Sequence, residues 1–179
     1  MPGYLDTFLM LLLYILPAYF ANAAPVLLGS GTPIDLKRKL WDGKRAFGDG
    51  KTIRGFVSGV LAGTFIGGLC GIFLPTSAYY LYPVPYFYYV AGLVLSFGTM
   101  LGDLLGSFFK RRLGMKRGHP SFLLDQLFFL VFALLFAYPL SPAFVFEPVN
   151  LVFLFAFTYV IHVASNYIAN RLGLKKVPW

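Results

Sequence analysis

All fifteen Lys and Arg of this chain fall in three short stretches, with long apolar segments between them. The first stretch holds Lys37, Arg38, Lys39, Lys44, Arg45, Lys51 and Arg54. The second holds Lys110, Arg111, Arg112, Lys116 and Arg117, and the third Arg171, Lys175 and Lys176. An odd number of membrane crossings puts every one of these cations on one face, and the positive-inside rule makes that face cytoplasmic. The polar chemistry of an otherwise apolar chain is then gathered on one side.

Five segments are long enough to cross a ~30 Å hydrocarbon core at ~1.5 Å per residue. They lie at about 4–24, 55–75, 85–106, 122–140 and 148–169. With 58 % hydrophobic and only 12 % charged residues, an ordinary soluble domain is excluded. The expected architecture is an all-α integral membrane protein, one domain over residues 1–179. It is a bundle of five transmembrane helices, N-terminus out and C-terminus in, with cytoplasmic loops 29–54 and 107–121 around a polar pocket. Ala21-Asn22-Ala23 resembles a signal-peptidase site, but residues 1–8 carry Asp6 and no Lys or Arg. The first helix is therefore expected to be retained. Cys70 is the sole cysteine, so neither a disulfide nor a thiolate metal site is available. Basic loops of this kind make topogenic and anionic-lipid contacts, so the net charge of +8 does not call for nucleic acid.

Gly55, Gly59, Gly63, Gly67 and Gly71 recur at spacing four in the second segment, and Gly98, Gly102 and Gly106 in the third. Residues i and i+4 share a helix face, so each helix presents a groove of bare backbone. In lipid such grooves serve close helix packing, within one bundle or between two copies of the chain. Tyr79, Tyr80, Tyr82, Tyr86, Tyr88 and Tyr89 surround the outer connector and read as an interfacial aromatic belt. His162, Ser165, Asn166 and Asn170 form a polar stripe on the last segment, either a functional feature or interhelical glue.

The strongest constellation is Gly102-Asp103-x-x-x-Ser107-x-x-Lys110-Arg111, followed by Lys116, His119-Pro120 and Asp125-Gln126. Asp103, Ser107, Lys110 and Arg111 stand on one face of a helix that continues the third segment out of the membrane. Asp103 sits near the interface, where an unpaired carboxylate is costly. Asp125 falls in the first turn of the fourth segment, where the helix dipole favours negative charge. The short connector lets both carboxylates reach one pocket among five cations. Two carboxylates beside clustered cations point to a Mg²⁺–phosphate site, since Mg²⁺ takes one or two carboxylates and completes its shell with water and phosphate oxygens. Lys110, Arg111, Lys116 and His119 are expected to hold phosphates, whereas Arg112 and Arg117 are expected to face lipid headgroups or water.

The first basic stretch contains Phe47-Gly48-Asp49-Gly50-Lys51-Thr52-x-Arg54-Gly55. A P-loop would need another Gly where Arg45 stands, and a preceding strand, so that reading fails. Its physics still applies: glycines let backbone N–H groups converge on an anion, and Lys51, Thr52 and Arg54 add donors at the start of a helix. The loop is expected to hold a polyphosphate, with Asn22, Gly48, Asp49 and Gly50 contributing geometry.

The run Ser107-x-Phe109-Lys110-Arg111-x-x-x-x-Lys116, with Asp103 before it and His119 and Asp125-Gln126 after it, resembles the signature of the phosphatidate cytidylyltransferases. Lys116 is followed by Arg117 where that family usually has Asp, and the acid comes later, at Asp125. Asn22-x-x-Pro25 and the Phe-Gly-Asp-Gly-Lys-Thr-x-Arg-Gly loop resemble the archaeal branch of the family, the CDP-archaeol synthases. The resemblance implies that CTP and 2,3-di-O-geranylgeranylglycerol 1-phosphate give CDP-archaeol and pyrophosphate with Mg²⁺. CDP-diacylglycerol synthesis from phosphatidate is the alternative within the family. The expected partners are CTP, an isoprenoid ether lipid phosphate and membrane lipids, with oligomeric state open. A transporter would show inverted repeats or midplane charge. A scaffold would leave the convergence of Asp103 and Asp125 unexplained.

Overall fold

The computed structural model of the chain describes residues 3–74, 81–115 and 127–174. Its helices are α1 (Tyr4–Leu28), α2 (Ile53–Phe73), α3 (Pro85–Arg112), α4 (Phe128–Ala137) and α5 (Pro148–Arg171). Short 3-10 turns, Tyr138–Leu140 and Ala143–Phe146, connect the last two. There is no strand among the described residues, only two isolated bridges, Pro33 to Thr52 and Lys39 to Arg45.

Four helices, α1, α2, α3 and α5, are long and apolar enough to cross a membrane. The fourth expected span is represented by α4, whose 10 residues cover about 15 Å, half the hydrocarbon core. Residues 122–126, which that span also includes, lie outside the described residues. Other boundaries differ from expectation for identifiable reasons. α1 continues through Pro25 and stops before Gly29, because proline is tolerated in an apolar helix where neighbours meet the freed carbonyls. α3 runs to Arg112, so residues 107–112 are helix rather than loop. Lys110, Arg111 and Arg112 fill its last turn, where cations complement the dipole, and Gly114 ends it with φ +74°. α2 starts two residues earlier than expected because Thr52 caps it, its Oγ1 accepting from Gly55 N at 3.0 Å.

The glycine grooves close within this bundle. α2 lies against both α1 and α3, and α3 lies against α4. A Cβ added at Gly67 would stand 2.7 Å from Gly92 Cα, and one at Gly102 would stand 2.6 Å from the Phe128 carbonyl oxygen. Backbone meets backbone at both seams, which is how helices gain contact where lipid offers no hydrophobic drive. Leu11, Ile15 and Ala18 of α1, Leu95 of α3, Leu130 and Ala133 of α4 and Leu154 of α5 make the central core. Two polar pairs lie within the bundle: Tyr19 Oη meets Thr158 Oγ1 at 2.8 Å, and Tyr14 Oη meets Ser141 Oγ at 2.5 Å.

The aromatic belt is only partly a belt. Tyr86 and Tyr89 are exposed, but Tyr82 and Tyr88 are buried. Tyr88 Oη accepts from the backbone N–H groups of Leu81 and Tyr82, so these two rings plug the end of the bundle opposite the 29–52 loop; Tyr79 and Tyr80 lie outside the described residues. On α5, Asn166 is buried and His162 meets the Phe129 ring edge-on at 5.6 Å.

Candidate active site

α1 ends, α2 begins and α3 ends at the same pole of the bundle, and the 29–52 loop is folded over that pole. Its backbone is paired with itself: Ile34 N donates to Lys51 O at 2.8 Å, Ile53 N to Thr32 O at 3.0 Å, and Lys51 N to Gly48 O at 3.2 Å. The chain turns after Asp35 through Leu36 and Lys37, with φ of 48° and 62°, a left-handed conformation that costs ~1–2 kcal/mol per residue away from glycine.

The compensation sits at Asp35. Its carboxylate, only 3 % exposed, receives Arg45 Nη2 at 2.5 Å, Arg45 Nε at 3.0 Å, Gly48 N at 3.0 Å, Phe47 N at 3.1 Å and Lys37 N at 3.2 Å. Burial alone would raise its pKa, but the Arg45 guanidinium and the N–H groups of Gly48, Phe47 and Lys37 outweigh it and hold the carboxyl well below the usual carboxylate range. Three of the loop's N–H groups thus converge on an anion, and the anion is the chain's own Asp35. Asp49 also faces Arg45, at 2.9 Å, with its side chain largely exposed.

Beyond Gly50 the loop delivers Lys51 to α3, where its Nζ donates to Asp103 Oδ2 at 2.5 Å. The two side chains are 24 % and 28 % exposed, at the edge of a cleft lined by Pro25, Gly50, Lys51, Thr52 and Asp103. The cleft has a cavity volume of about 30 Å³, room for a water or two. Asn22 lies half-buried on α1, one turn before Pro25. Thr52 is 5 % exposed and its oxygen serves the α2 cap, while Arg54 points to the α1 end and donates to Ser30 Oγ at 3.3 Å.

The basic end of α3 closes over the loop. Lys110 is buried, Ser107 is half-buried, and Arg111 Cδ lies 3.9 Å from the position a Cβ on Gly48 would occupy. Arg112 does not face water as expected. Its Nε lies 3.2 Å from Asp42 Oδ2, its Nη2 donates to Arg45 O at 2.5 Å, and its guanidinium stacks over Phe108 at 4.9 Å and Trp41 at 5.9 Å. Lys44 Nζ reciprocates by donating to Arg112 O at 3.0 Å. Arg112 is a clasp between loop and helix.

Lys116, His119, Asp125 and Arg117 lie outside the described residues, so the expected pairing of Asp103 with Asp125 has no geometry here. Among the described residues no three His, Cys, Asp or Glu gather. Asp103 is a single hard oxygen donor beside an ammonium at a cleft edge, which suits an ion completed by substrate phosphate and water rather than a closed protein cage. The residues the sequence reading missed are Asp35, Asp42 and Arg112. A signal for the acids was present: Asp35, Asp42 and Asp49 recur among seven cations, more negative charge than a merely topogenic loop requires.

The chain is similar to known proteins along nearly its whole length. The family model described as CarS-like, CDP-archaeol synthase, matches residues 4–179. The chain is 49 % identical over 183 residues to the CDP-archaeol synthase of Thermococcus gammatolerans, covering 99 % of each. It is 48 % identical over 172 residues to that of Pyrococcus horikoshii, covering 93 % of this chain and 94 % of the relative. It also resembles a solved structure of an intramembrane enzyme for archaeal membrane lipids biosynthesis, with a TM-score of 0.76 and 37 % identity over 87 % of this chain and 91 % of that one.

Proposed function

The chain belongs to the CarS-like CDP-archaeol synthase family, and from that membership we propose how its own residues carry the reaction. It is a multi-pass membrane enzyme, a CTP-dependent nucleotidyltransferase that forms CDP-archaeol. The diacyl alternative is not favoured by relatives such as those of Thermococcus gammatolerans and Pyrococcus horikoshii, which carry the archaeol name. An oxygen of the lipid phosphate attacks the α-phosphorus of CTP, the α–β bridging bond breaks, and pyrophosphate leaves. A phosphate monoester has its second pKa near ~6, so the nucleophile is already ionised and the protein needs no general base. Its work is to align the groups and stabilise charge.

In this reading Lys51 and Arg111 hold the triphosphate, one from the loop and one from α3. Gly48, Asp49 and Gly50 set the loop's path, Thr52 fixes the start of α2, and Arg54, Asn22 and Ser107 line the approach. Lys110, Lys116 and His119 add cationic donors for the leaving pyrophosphate or the lipid phosphate. Asp103 and Asp125 would hold Mg²⁺, which when bound spreads the negative charge of the phosphates. We place the pocket on the cytoplasmic face, with five spans in one domain, N-terminus out and C-terminus in, so that the lipid chains stay in the bilayer while the headgroup reaches the pocket.

The observation that carries the reading is the contact between Lys51 and Asp103, which brings the two sequence motifs, 52 residues apart, to one point. Pyrophosphate release from CTP and the ether lipid phosphate tests it. Asp103→Asn is expected to cut turnover by orders of magnitude at saturating Mg²⁺, and Lys51→Ala to weaken CTP affinity about ten- to a hundred-fold, the scale of one charged hydrogen bond. Near-native values for both variants would reduce the contact to a structural ion pair.

A further inference from the structure

One heavily hydrogen-bonded charged group in the described structure is not among the proposed ligands. Asp35 takes five donated hydrogen bonds, and no step above uses it. Those donors are placed to a purpose. Phe47 and Gly48, two of them, open the turn whose next residues are Asp49, Gly50 and Lys51. Gly48 has φ +86° and its carbonyl receives the N–H of Lys51. The carbonyl of Lys51 receives the N–H of Ile34, the residue just before Asp35. Lys51 is therefore fixed on its N–H side through Gly48 and on its carbonyl side through Ile34, and Asp35 binds the first of these and adjoins the second.

We propose that Asp35 is a positioning residue for the nucleotide: its buried carboxylate presets the 47–51 backbone, so that the Lys51 ammonium already stands at the Asp103 cleft when CTP arrives. A loop held in its bound form does not have to be ordered by the ligand, so the gain is in nucleotide affinity rather than in the chemical step. This rests on the reading that Lys51 contacts CTP.

The test is a cycle on the full-length protein in detergent or nanodiscs, measuring CTP Kd, kcat at saturating CTP, and thermal midpoint. Asp35→Asn keeps the shape but turns one acceptor into a donor facing Arg45 or the loop N–H groups. It is expected to raise CTP Kd on the order of tenfold, to change kcat little, and to add nothing further in a Lys51→Ala background. Arg45→Gln, which leaves Asp35 with its backbone donors, is expected to give a smaller loss of the same sign, again absent without Lys51. It serves as the readout should Asp35→Asn not fold. Equal losses with and without Lys51, a fall in kcat at unchanged CTP Kd, or an unchanged Kd in both variants would each overturn the inference. Lys51→Ala alone separates the two levels. If it leaves CTP Kd unaltered, the underlying assignment of Lys51 fails and the inference with it; if it weakens CTP while the Asp35 cycle is flat or additive, only the inference fails.

Discussion

The α2–α3 seam and the 29–52 loop hold their shapes by opposite means. At the seam, side chains have been removed until Gly67 and Gly92 meet through backbone. In the loop, side chains reinforce a backbone paired with itself: one buried carboxylate gathers an arginine and three N–H groups, and one arginine ties the result to α3. Lipid supplies no competing hydrogen bonds and no hydrophobic push between helices, so geometry there depends on surface shape. At the polar pole water competes for every bond, so geometry depends on saturating a charge that is already buried.

The sharpest way to break the seam is Gly67→Ile. The new side chain has Gly92 Cα and the Tyr88 carbonyl in its path, so loss of folded protein from the membrane is expected, read as yield and monodispersity after extraction. Arg112→Gln asks the equivalent question of the loop. It removes the Asp42 pair and the stacking on Phe108 and Trp41, and a drop of several degrees in thermal midpoint with weaker CTP binding is expected, on the scale of 1–3 kcal/mol for a partly buried charged contact. Arg38→Gln should be nearly silent, because Arg38 is exposed and such surface changes stay within about 0.5 kcal/mol. If Arg38 and Arg112 gave equal effects, the loop would be a positive-inside tether after all. Acid supplies the mildest probe. The depressed pKa of Asp35 means its contribution is fully present above the unfolded value near ~4 and is lost only as pH falls through the lower folded value. CTP affinity should therefore show no inflection attributable to Asp35 between about pH 5 and 8, and one that vanished in Asp35→Asn would contradict the burial of the carboxylate.

What could be read in the sequence follows the same division. The glycine rows, the long apolar runs and the two polar motifs are local patterns with a fixed period or spacing, and α2 and α3 follow from them, whereas the Lys51–Asp103 contact between the two motifs needed the fold. Helix ends were less legible, because membrane thickness does not stop a helix: α3 continues to Arg112 until Gly114 ends it. Least legible were the partners of particular cations. Arg112 looks like its neighbours in a basic run, and only the fold brings the carbonyl of Arg45, 67 residues away, under its guanidinium. Tyr88 likewise looks like a belt residue until the segment before α3 brings the N–H groups of Leu81 and Tyr82 onto its hydroxyl oxygen.

The Arg112 clasp has a mechanical consequence. Bilayers of different thickness tilt the helices they contain, and a pocket assembled from independently anchored loops would be stretched or sheared by that tilt. Here the loop, continuous with α1 and α2, is also clasped to the end of the very helix that bears Asp103, which ties the position of Lys51 to that of Asp103. A change in bilayer thickness is then expected to leave the Lys51–Asp103 spacing as it was, and CTP affinity measured in nanodiscs of short- and long-chain lipids would check it.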